Sequence, residues 1–319
     1  MRLFKYIFLL FFFFSCDSDD TSSEVTDIRY KVLLDYDGDI VFIGDQSNKV
    51  IFESSSSEYY LSILGYYNKV QSKRLYFISR SDFYSGFKLN YIDLQDLYEN
   101  RDYHYMVQSS EINFDENDYL MSGVFMESEN RYHFLVTEDD SNILLKTFEN
   151  GALVETQNVT STFGISNFGI EGISYLQASN KLVIIQDVFN SSTQKTKIID
   201  LDTFSLVGEH TNFNYNFFKA FGDAEHQFLI GRKEISYQVH EYLTDLQGHL
   251  ITDNSDGYSF IGRASIGYDT DESTFEYFID GDGREEVGII NTITGELLPQ
   301  GVEGEPHSRN SPIFYFKPN

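Results

Sequence analysis

Two short acidic segments have the residue types and spacing of a cation-binding turn. Residues 35–39 read Asp-Tyr-Asp-Gly-Asp and residues 280–283 read Asp-Gly-Asp-Gly, so carboxylates alternate along a chain that glycine allows to bend. Calcium prefers oxygen ligands of this kind, which makes Asp280 and Asp282 candidate metal ligands. A calcium loop would continue to a glutamate at its twelfth position, where these segments have Gln46 and Asn291. Because Asp-Gly is also a strong hairpin signal, hairpin turns are the favoured interpretation.

Glu171, which lies between Gly169 and Gly172, is the other candidate metal ligand. Residues 168–175 read Phe-Gly-Ile-Glu-Gly-Ile-Ser-Tyr, with Glu171 in a predicted strand. The segment resembles the Glu-Gly strand that opens blades in phytase-like and gluconolactonase-like propellers. That resemblance implies that Glu171 points into a central channel and coordinates a divalent cation, with Ca²⁺ as the candidate cofactor. The alternative is a solvated or hydrogen-bonded strand residue.

No other residues form a recognisable catalytic motif. A Gly-x-Ser-x-Gly elbow, a phosphate-binding Walker loop and a dinucleotide fingerprint are all absent from the sequence. The sequence therefore predicts no catalytic residue. The histidines have no metal-binding spacing and are interpreted as surface or packing residues; they are His104, His133, His210, His226, His240, His249 and His307.

The first residues of the chain have the order of a secretory signal. Arg2 and Lys5 precede nine apolar or aromatic residues, which are too few for a membrane-spanning helix of about 20 residues. Residues 13–16, Phe-Phe-Ser-Cys, resemble the lipobox of bacterial lipoproteins. The resemblance implies that residues 1–15 are a signal peptide and that Cys16 carries diacylglycerol and acyl chains such as palmitate. An ordinary cleaved signal followed by an incidental cysteine is the alternative.

The segment after the cysteine predicts the location of the protein. Residues 16–27 are polar and acidic, as expected of a flexible tether. They resemble the tether of surface-exposed lipoproteins of the Bacteroidetes type, which implies a lipid anchor at the outer membrane or cell surface. The leaflet that holds the anchor depends on the host. Residues 28–319 contain no second linker and are interpreted as one domain.

Charge and cysteine content exclude several classes of protein. The chain has 23 basic and 50 acidic side chains and a net charge of −27, and removal of Arg2 and Lys5 with the signal leaves 21 against 50, or −29. Nucleic acid is not expected as a partner, because binding a phosphate backbone needs basic patches. Cys16 is the only cysteine, so the mature fold has no internal disulfide.

A loose repeat predicts an all-β fold. Short apolar strands alternate with polar turns, and the turn that closes the second strand recurs near residues 96, 150, 203, 247 and 294, at steps of 54, 53, 44 and 47. A period near 50 with four short strands is typical of a β-propeller blade. Further strands are predicted at 119–125, 169–176 and 260–267, and a third strand of the first full repeat at 97–98.

Six blades are predicted, with seven as the nearest rival and a pair of β-sandwiches as the other architecture. Residues 28–64 form the earliest unit, and residues 313–316 are expected to pair with it and close the ring. The repeat resembles propellers of the WD-like and NHL-like group.

The sequence predicts a binding or scaffold module that presents loops or a channel mouth to an extracellular protein or glycan. A calcium-dependent hydrolase or lactonase that uses Glu171 is the competing hypothesis. Aromatic side chains that could contact a partner are Tyr59, Tyr60, Tyr66, Tyr67, Tyr103 and Tyr105. Strand or core positions are the favoured interpretation of these residues.

Overall fold

The computed structural model describes most of the chain after the predicted tether. The described residues are 28–34, 39–56, 66–69, 73–80, 87–101, 104–105, 107–114, 119–125, 131–138, 142–166, 169–189, 191–212, 216–222, 225–236, 238–254, 265–269, 274–281, 284–291, 297–300 and 313–319. Cys16 and the predicted signal and tether lie outside them.

Strands dominate the described residues and form six sheets. Sheet 1 has the order β25-β1-β2-β3-β7, with β1 Tyr30–Leu34, β2 Ile40–Gly44, β3 Val50–Ser56, β7 His104–Tyr105 and β25 Phe314–Phe316. Sheet 2 contains β4 Tyr66–Lys69, β5 Arg74–Arg80, β6 Phe87–Asp93 and β8 Gln108–Asn113. Sheet 3 contains β9 Tyr119–Phe125, β10 Arg131–Glu138, β11 Asn142–Glu149 and β12 Ala152–Asn158.

The other three sheets repeat the pattern of sheet 3. Sheet 4 contains β13 Ile170–Leu176, β14 Lys181–Asp187, β15 Gln194–Asp200 and β16 Ser205–Asn212. Sheet 5 contains β17 Asn216–Gly222, β18 Gln227–Ile235, β19 Gln238–Asp245 and β20 Leu250–Asn254. Sheet 6 contains β21 Ser265–Asp269, β22 Thr274–Gly281, β23 Arg284–Ile290 and β24 Leu297–Pro299. Four consecutive antiparallel strands per sheet, repeated four times in sheets 3–6, are the propeller arrangement that the repeat predicts.

The middle strands are apolar on both faces because a neighbouring sheet covers each face. All five residues of β2 are buried, and β11 buries six successive residues. Successive side chains of a strand point to opposite faces, so an unbroken buried run requires apolar cover on both sides of the sheet. Five buried clusters provide this cover between consecutive sheets, from sheets 1 and 2 to sheets 5 and 6.

One predicted strand is a helix instead. The sequence analysis assigns a strand to residues 97–98, but they lie in α1, Leu94–Asn100. The Asp93 carboxylate accepts hydrogen bonds from the backbone N–H groups of Gln95 and Asp96 and so caps the helix start. Arg101 ends the helix in a left-handed conformation. A second helix, α2 Val159–Phe163, follows the N-cap Asn158 and also was not predicted. No described helix has the length and apolar character needed to cross a bilayer.

The C-terminal strand closes the first sheet, as the sequence predicts. Strand β25 pairs antiparallel with β1, with Tyr30 opposite Phe316. A buried ionic network joins the same strands to sheet 6. The ammonium of Lys31 lies 3.3 Å from the Glu276 carboxylate and 3.6 Å from that of Asp45, and the Tyr315 hydroxyl donates to Glu276 at 2.8 Å. Burial raises the pKa of Glu276, and the charge of Lys31 opposes the shift.

We predict that this network depends on both charges. Lys31→Met leaves the Glu276 carboxylate buried without its nearest cation, so the free energy of unfolding in urea should fall by about 3–5 kcal/mol. The double variant Lys31→Met/Glu276→Met should recover most of that loss. Lys195→Met, which breaks an exposed pair with Glu209, is the control and should change stability by less than about 0.5 kcal/mol. Equal losses of unfolding free energy in Lys31→Met and Lys195→Met would contradict the prediction that the buried network depends on both charges.

Burial of the His133 side chain should make the folded protein less stable in acid. His133 is 4% exposed, and its Nδ1 lies 2.8 Å from the Thr147 hydroxyl. Burial lowers the pKa of His133 to about 4, with Arg131 adding to the shift and Asp202 opposing it. Of the two roles that the sequence leaves open for the histidines, surface or packing, His133 has the packing role.

The unfolded chain binds the histidine proton at higher pH than the folded chain, so stability falls as the pH drops from about 6.5 to 4. Between pH 7 and pH 4.5 this one group should cost about 2 to 3 kcal/mol. His133→Gln removes the titration, and urea unfolding at both pH values should show a smaller acid loss in the variant by that amount. Parallel pH profiles for the two proteins would contradict the prediction.

Candidate functional site

The first strands of sheets 4 and 5 approach each other closely. The backbone N–H of Ala220 donates to the Ser174 hydroxyl at 2.9 Å, which links β17 to β13. A side-chain carbon added at Gly172 would lie 2.2 Å from the Phe218 carbonyl oxygen, so only glycine fits at this contact. Since the first strands approach in this way, they form the inner edge of the arrangement and the fourth strands form its outer edge.

A β-bulge interrupts each of these inner strands at the same point. Ile170 pairs with Gln186 and Gly172 with Ile185, which leaves Glu171 as the extra residue of β13. The pairing of β17 with β18 skips Phe218 in the same way. The pairing of β9 with β10 skips residue 121. Bulges redirect side chains and are frequent next to active sites, so the repeated bulge marks this end of the sheets as a candidate site.

Glu171 lies beside a second carboxylate. The Asp187 side chain hydrogen bonds with Glu171, and Asp187 N–H donates to the Gly169 carbonyl at 2.6 Å. Gly169 has a φ of +76°, and a side-chain carbon there would lie 3.2 Å from the Asp187 Cβ. Glycine therefore allows the turn that brings Asp187 to the bulge. Partial burial raises the pKa of Glu171, the Asp187 charge and hydrogen bond add to the shift, and Arg232 opposes it.

The neighbouring sheet contributes a cation and an aromatic ring to the same place. The guanidinium carbon of Arg232 lies 5.9 Å from the centroid of the Phe218 ring. In the strand pairing, Arg232 of β18 occupies the position that Asp187 has in β14. Two carboxyl groups, one guanidinium and one phenyl ring thus meet at the bulged ends of sheets 4 and 5. We call Glu171, Asp187, Phe218 and Arg232 the mouth cluster.

An exposed aromatic ring extends from the same end of sheet 4. Phe189 lies in the turn between β14 and β15, two residues after Asp187, and 88% of its surface is exposed. A fully solvated phenyl ring beside polar side chains is a common anchor for a binding partner.

A buried glutamine fixes the relative position of the two sheets. Gln194 of β15 is 4% exposed, and its amide makes two hydrogen bonds to the backbone of Phe217. The Phe217 N–H donates to the amide oxygen at 2.6 Å, and the amide nitrogen donates to the Phe217 carbonyl at 3.3 Å. Because Phe217 directly precedes the bulged Phe218, this clamp holds the aromatic side of the mouth cluster against sheet 4.

The predicted metal ligands do not meet in the described residues. Glu171 lies in the mouth cluster, whereas Asp280 lies in β22 opposite Glu285 of β23. Asp282 lies outside the described residues, between Gly281 and Arg284, which pair with each other. That pairing leaves two residues to connect the strands, as in the hairpin that Asp-Gly favours. The parts of the chain that the structure describes contain no group of three histidine, cysteine or carboxylate residues suited to a metal ion.

Sequence reasoning identified one member of the mouth cluster and missed three. Glu171 is recognisable from the flanking glycines, whereas Asp187, Phe218 and Arg232 come from other strands and have no local motif. Only the strand register brings them together. Of the tyrosines proposed as contacts, Tyr66 and Tyr67 lie in β4 and Tyr105 lies in β7, whereas Tyr59, Tyr60 and Tyr103 are outside the described residues.

Comparisons with known proteins support the fold only. No family model and no curated protein matches the chain. Among solved structures, it is similar to TolB from Acinetobacter baumannii, with 13% identity, a TM-score of 0.54 and coverage of 92% of this chain and 68% of the other. A candidate 6-phosphogluconolactonase from Bacteroides uniformis is 8% identical, with a TM-score of 0.52 and coverage of 91% and 100%.

A third similar structure comes from the nidogen/laminin complex, with 10% identity, a TM-score of 0.53 and coverage of 90% of this chain and 98% of the other. At these identities the likeness concerns the backbone arrangement alone. Together with the repeated four-stranded sheets, these similarities identify the chain as an all-β protein with a β-propeller fold.

Proposed function

We propose that this chain is a lipid-anchored, extracytoplasmic β-propeller that binds a protein or glycan partner at the mouth cluster. The observation that carries the proposal is the convergence of Glu171, Asp187, Phe218 and Arg232 from two sheets at bulged inner strands. A guanidinium and two carboxyl groups can donate and accept charge-assisted hydrogen bonds, and the rings of Phe218 and Phe189 can contact the apolar parts of a ligand.

We propose that the domain has six blades, one for each sheet. Pairing of β25 with β1 combines the two ends of the domain in one sheet, and Lys31 and Glu276 connect that sheet to sheet 6. A ring closed in this way gives every sheet two neighbours.

The proposed location derives from the N-terminal sequence. Lipid on Cys16 and an acidic tether over residues 16–27 would hold the domain at the outer membrane or cell surface. The net charge of −27 favours solubility and disfavours nucleic acid and anionic lipid headgroups as ligands.

Capture from intact cells tests the binding site. The variant Glu171→Gln/Arg232→Ala should lose roughly tenfold or more in captured partner, because each removed charge takes away a charge-assisted hydrogen bond worth about 1.5–3 kcal/mol. The control variant Lys195→Ala/Glu209→Gln also removes one positive and one negative charge, but from an exposed ion pair on β15 and β16. It should capture as much partner as the unchanged protein. Mass spectrometry and a glycan array identify the partner as protein or sugar. Equal capture by both double variants would overturn the site.

A calcium-dependent hydrolase or lactonase is the second candidate, favoured by the contact between the Glu171 and Asp187 carboxyl groups. A divalent cation beside this pair would offset the repulsion between the two carboxylates.

Calcium titration tests this candidate. Calcium at 100 times its dissociation constant would stabilise the fold by about 2.7 kcal/mol and raise Tm accordingly. The increase would disappear in Glu171→Gln and persist in Glu155→Gln, a carboxylate on the outer strand β12. A Tm that does not change with calcium would remove the hydrolase candidate and leave the binding module.

A further inference from the structure

A repeated pair of aliphatic residues marks the outer edge of the domain. In five of the six sheets described, two consecutive aliphatic residues lie within the first three residues of one strand, at the same place in its pairing with the preceding strand. That strand is the edge of the sheet in sheets 3–6, whereas in sheet 1 it is β3, which also pairs with the two-residue strand β7. These ten residues, which we call the aliphatic rim, are Val50, Ile51, Leu153, Val154, Leu206, Val207, Leu250, Ile251, Leu297 and Leu298. In each pair at least one member is exposed, and Val154, Val207 and Leu250 are more than half exposed, at 52%, 53% and 52%.

A bulge accounts for the exposure of both residues of the pair in sheets 3 and 4, whereas Val50 and Ile251 pack partly against the core. Strand pairing skips the second residue of four of the pairs, which are Ile51, Val154, Val207 and Ile251. Regular strands turn successive side chains to opposite faces, and a bulge breaks this alternation. Leu153 and Val154 are both exposed for this reason, at 47% and 52%.

The rim lies at the end of the sheets opposite the mouth cluster. In sheet 4, Asp187 pairs with Gln194 at one end, and Lys181 pairs with Asp200 at the other. Leu206 follows directly on that second end, opposite Ile199. The other rim pairs also follow the turn that joins the third and fourth strands of their sheets.

The chain enters the domain at the rim end. Arg29 makes two hydrogen bonds to the Asp45 carboxylate, at 2.8 and 2.6 Å, and Asp45 lies in the turn that precedes the first rim pair. Ile28, the first described residue, is 62% exposed. The residues before it, including the twelve of the predicted tether, therefore start from this end; fully extended, the tether spans at most roughly 40 Å.

Carboxylates near the rim are directed to their own turns. Asp200 accepts hydrogen bonds from the backbone and hydroxyl of Thr203, both at 2.8 Å, and these bonds lower the pKa of Asp200. Asp245 accepts from the backbone N–H groups of Gln247 and His249 in the same way. Such bonds occupy carboxylate oxygens at the positions where the rim would meet a neighbouring surface.

We propose that the aliphatic rim rests on the bilayer surface to which the Cys16 lipid anchors the chain; this inference depends on the anchor in the proposed function. The rim pairs take equivalent places in five sheets of a propeller, so one flat surface can contact several of them together. Zwitterionic headgroups are the occupant that suits them, because a net charge of −27 is repelled by anionic lipid. The mouth cluster then faces away from the membrane, toward the partner.

Site-directed spin labelling of the full, acylated chain tests this orientation. Cys16 is the only native cysteine, so Leu206→Cys and Leu153→Cys each provide one new labelling site on the rim once Cys16 is acylated. Phe189→Cys, at the opposite end and 88% exposed, is the matched control. After reconstitution into phosphatidylcholine vesicles, labels at 206 and 153 should gain accessibility to oxygen and lose accessibility to a water-soluble nickel chelate. The label at 189 should show neither shift.

The intact mass of each sample separates the two possible failures. Acyl mass on Cys16 with water-exposed labels at 206 and 153 would overturn the rim orientation and leave the anchor standing. A chain without acyl mass would overturn the anchor, and the orientation with it. A label at 189 that enters the bilayer would reverse the assignment of the two ends.

Discussion

The described structure depends on one constraint: a sheet whose middle strands are buried on both faces must be covered by other parts of the fold. A single twisted sheet with two apolar faces cannot remain in water alone, and stacking sheets in a row leaves the first and last uncovered. Here the first sheet receives its inner strand from the C-terminus, with Val32 of β1 opposite Phe314 of β25. An aromatic cluster holds this junction, because the rings of Tyr30 and Tyr98 lie 5.0 Å apart and those of Phe42 and Phe316 lie 5.8 Å apart. These contacts hold the two ends of the domain together in one sheet.

The sequence predicted the strands best where burial is continuous. Runs such as 182–185 and 143–148 are recognisable because both faces of the middle strands need β-branched and aromatic residues. The prediction of a strand at residues 97–98 was wrong, because an aliphatic residue followed by an aromatic one after a polar turn is also typical of an outer strand. The cap on Asp93 makes this segment helical instead, and a side-chain hydrogen bond to the backbone has only a weak local pattern.

The candidate site was harder to predict for a different physical reason. Glu171 and Asp187 are sixteen positions apart in sequence, and Arg232 is a further 45 positions along the chain. Their contact depends on the register of two hairpins and on an extra residue in each inner strand. A shift of one residue in register turns a side chain to the other face, so composition and spacing alone could not place these groups together.

Buried cations make the outer surface more acidic than the composition suggests. Lys31, Lys146 and Lys197 are at most 6% exposed, so these cations contribute little to the surface. Lys197 donates to the carbonyls of Phe163 and Gly164 at the end of α2 and also lies 3.5 Å from Glu209. A cation is favourable there because the C-terminal end of a helix carries partial negative charge. The exposed surface of the described residues is therefore richer in carboxylates than the composition alone suggests.

In sheets 3, 4 and 5 a β-bulge occurs at both edges and has a different effect at each. At the inner edge, extra residues such as Glu171 and Phe218 bring polar and aromatic side chains to the mouth of the ring. At the outer edge, extra residues such as Val154 and Val207 interrupt the ladder of strands that have no further neighbour in their sheet. An unbroken, flat edge would present unpaired backbone groups to another sheet and favour aggregation. A bulge interrupts the regular pairing at that edge, and in sheets 3 and 4 it leaves both aliphatic side chains of the pair exposed.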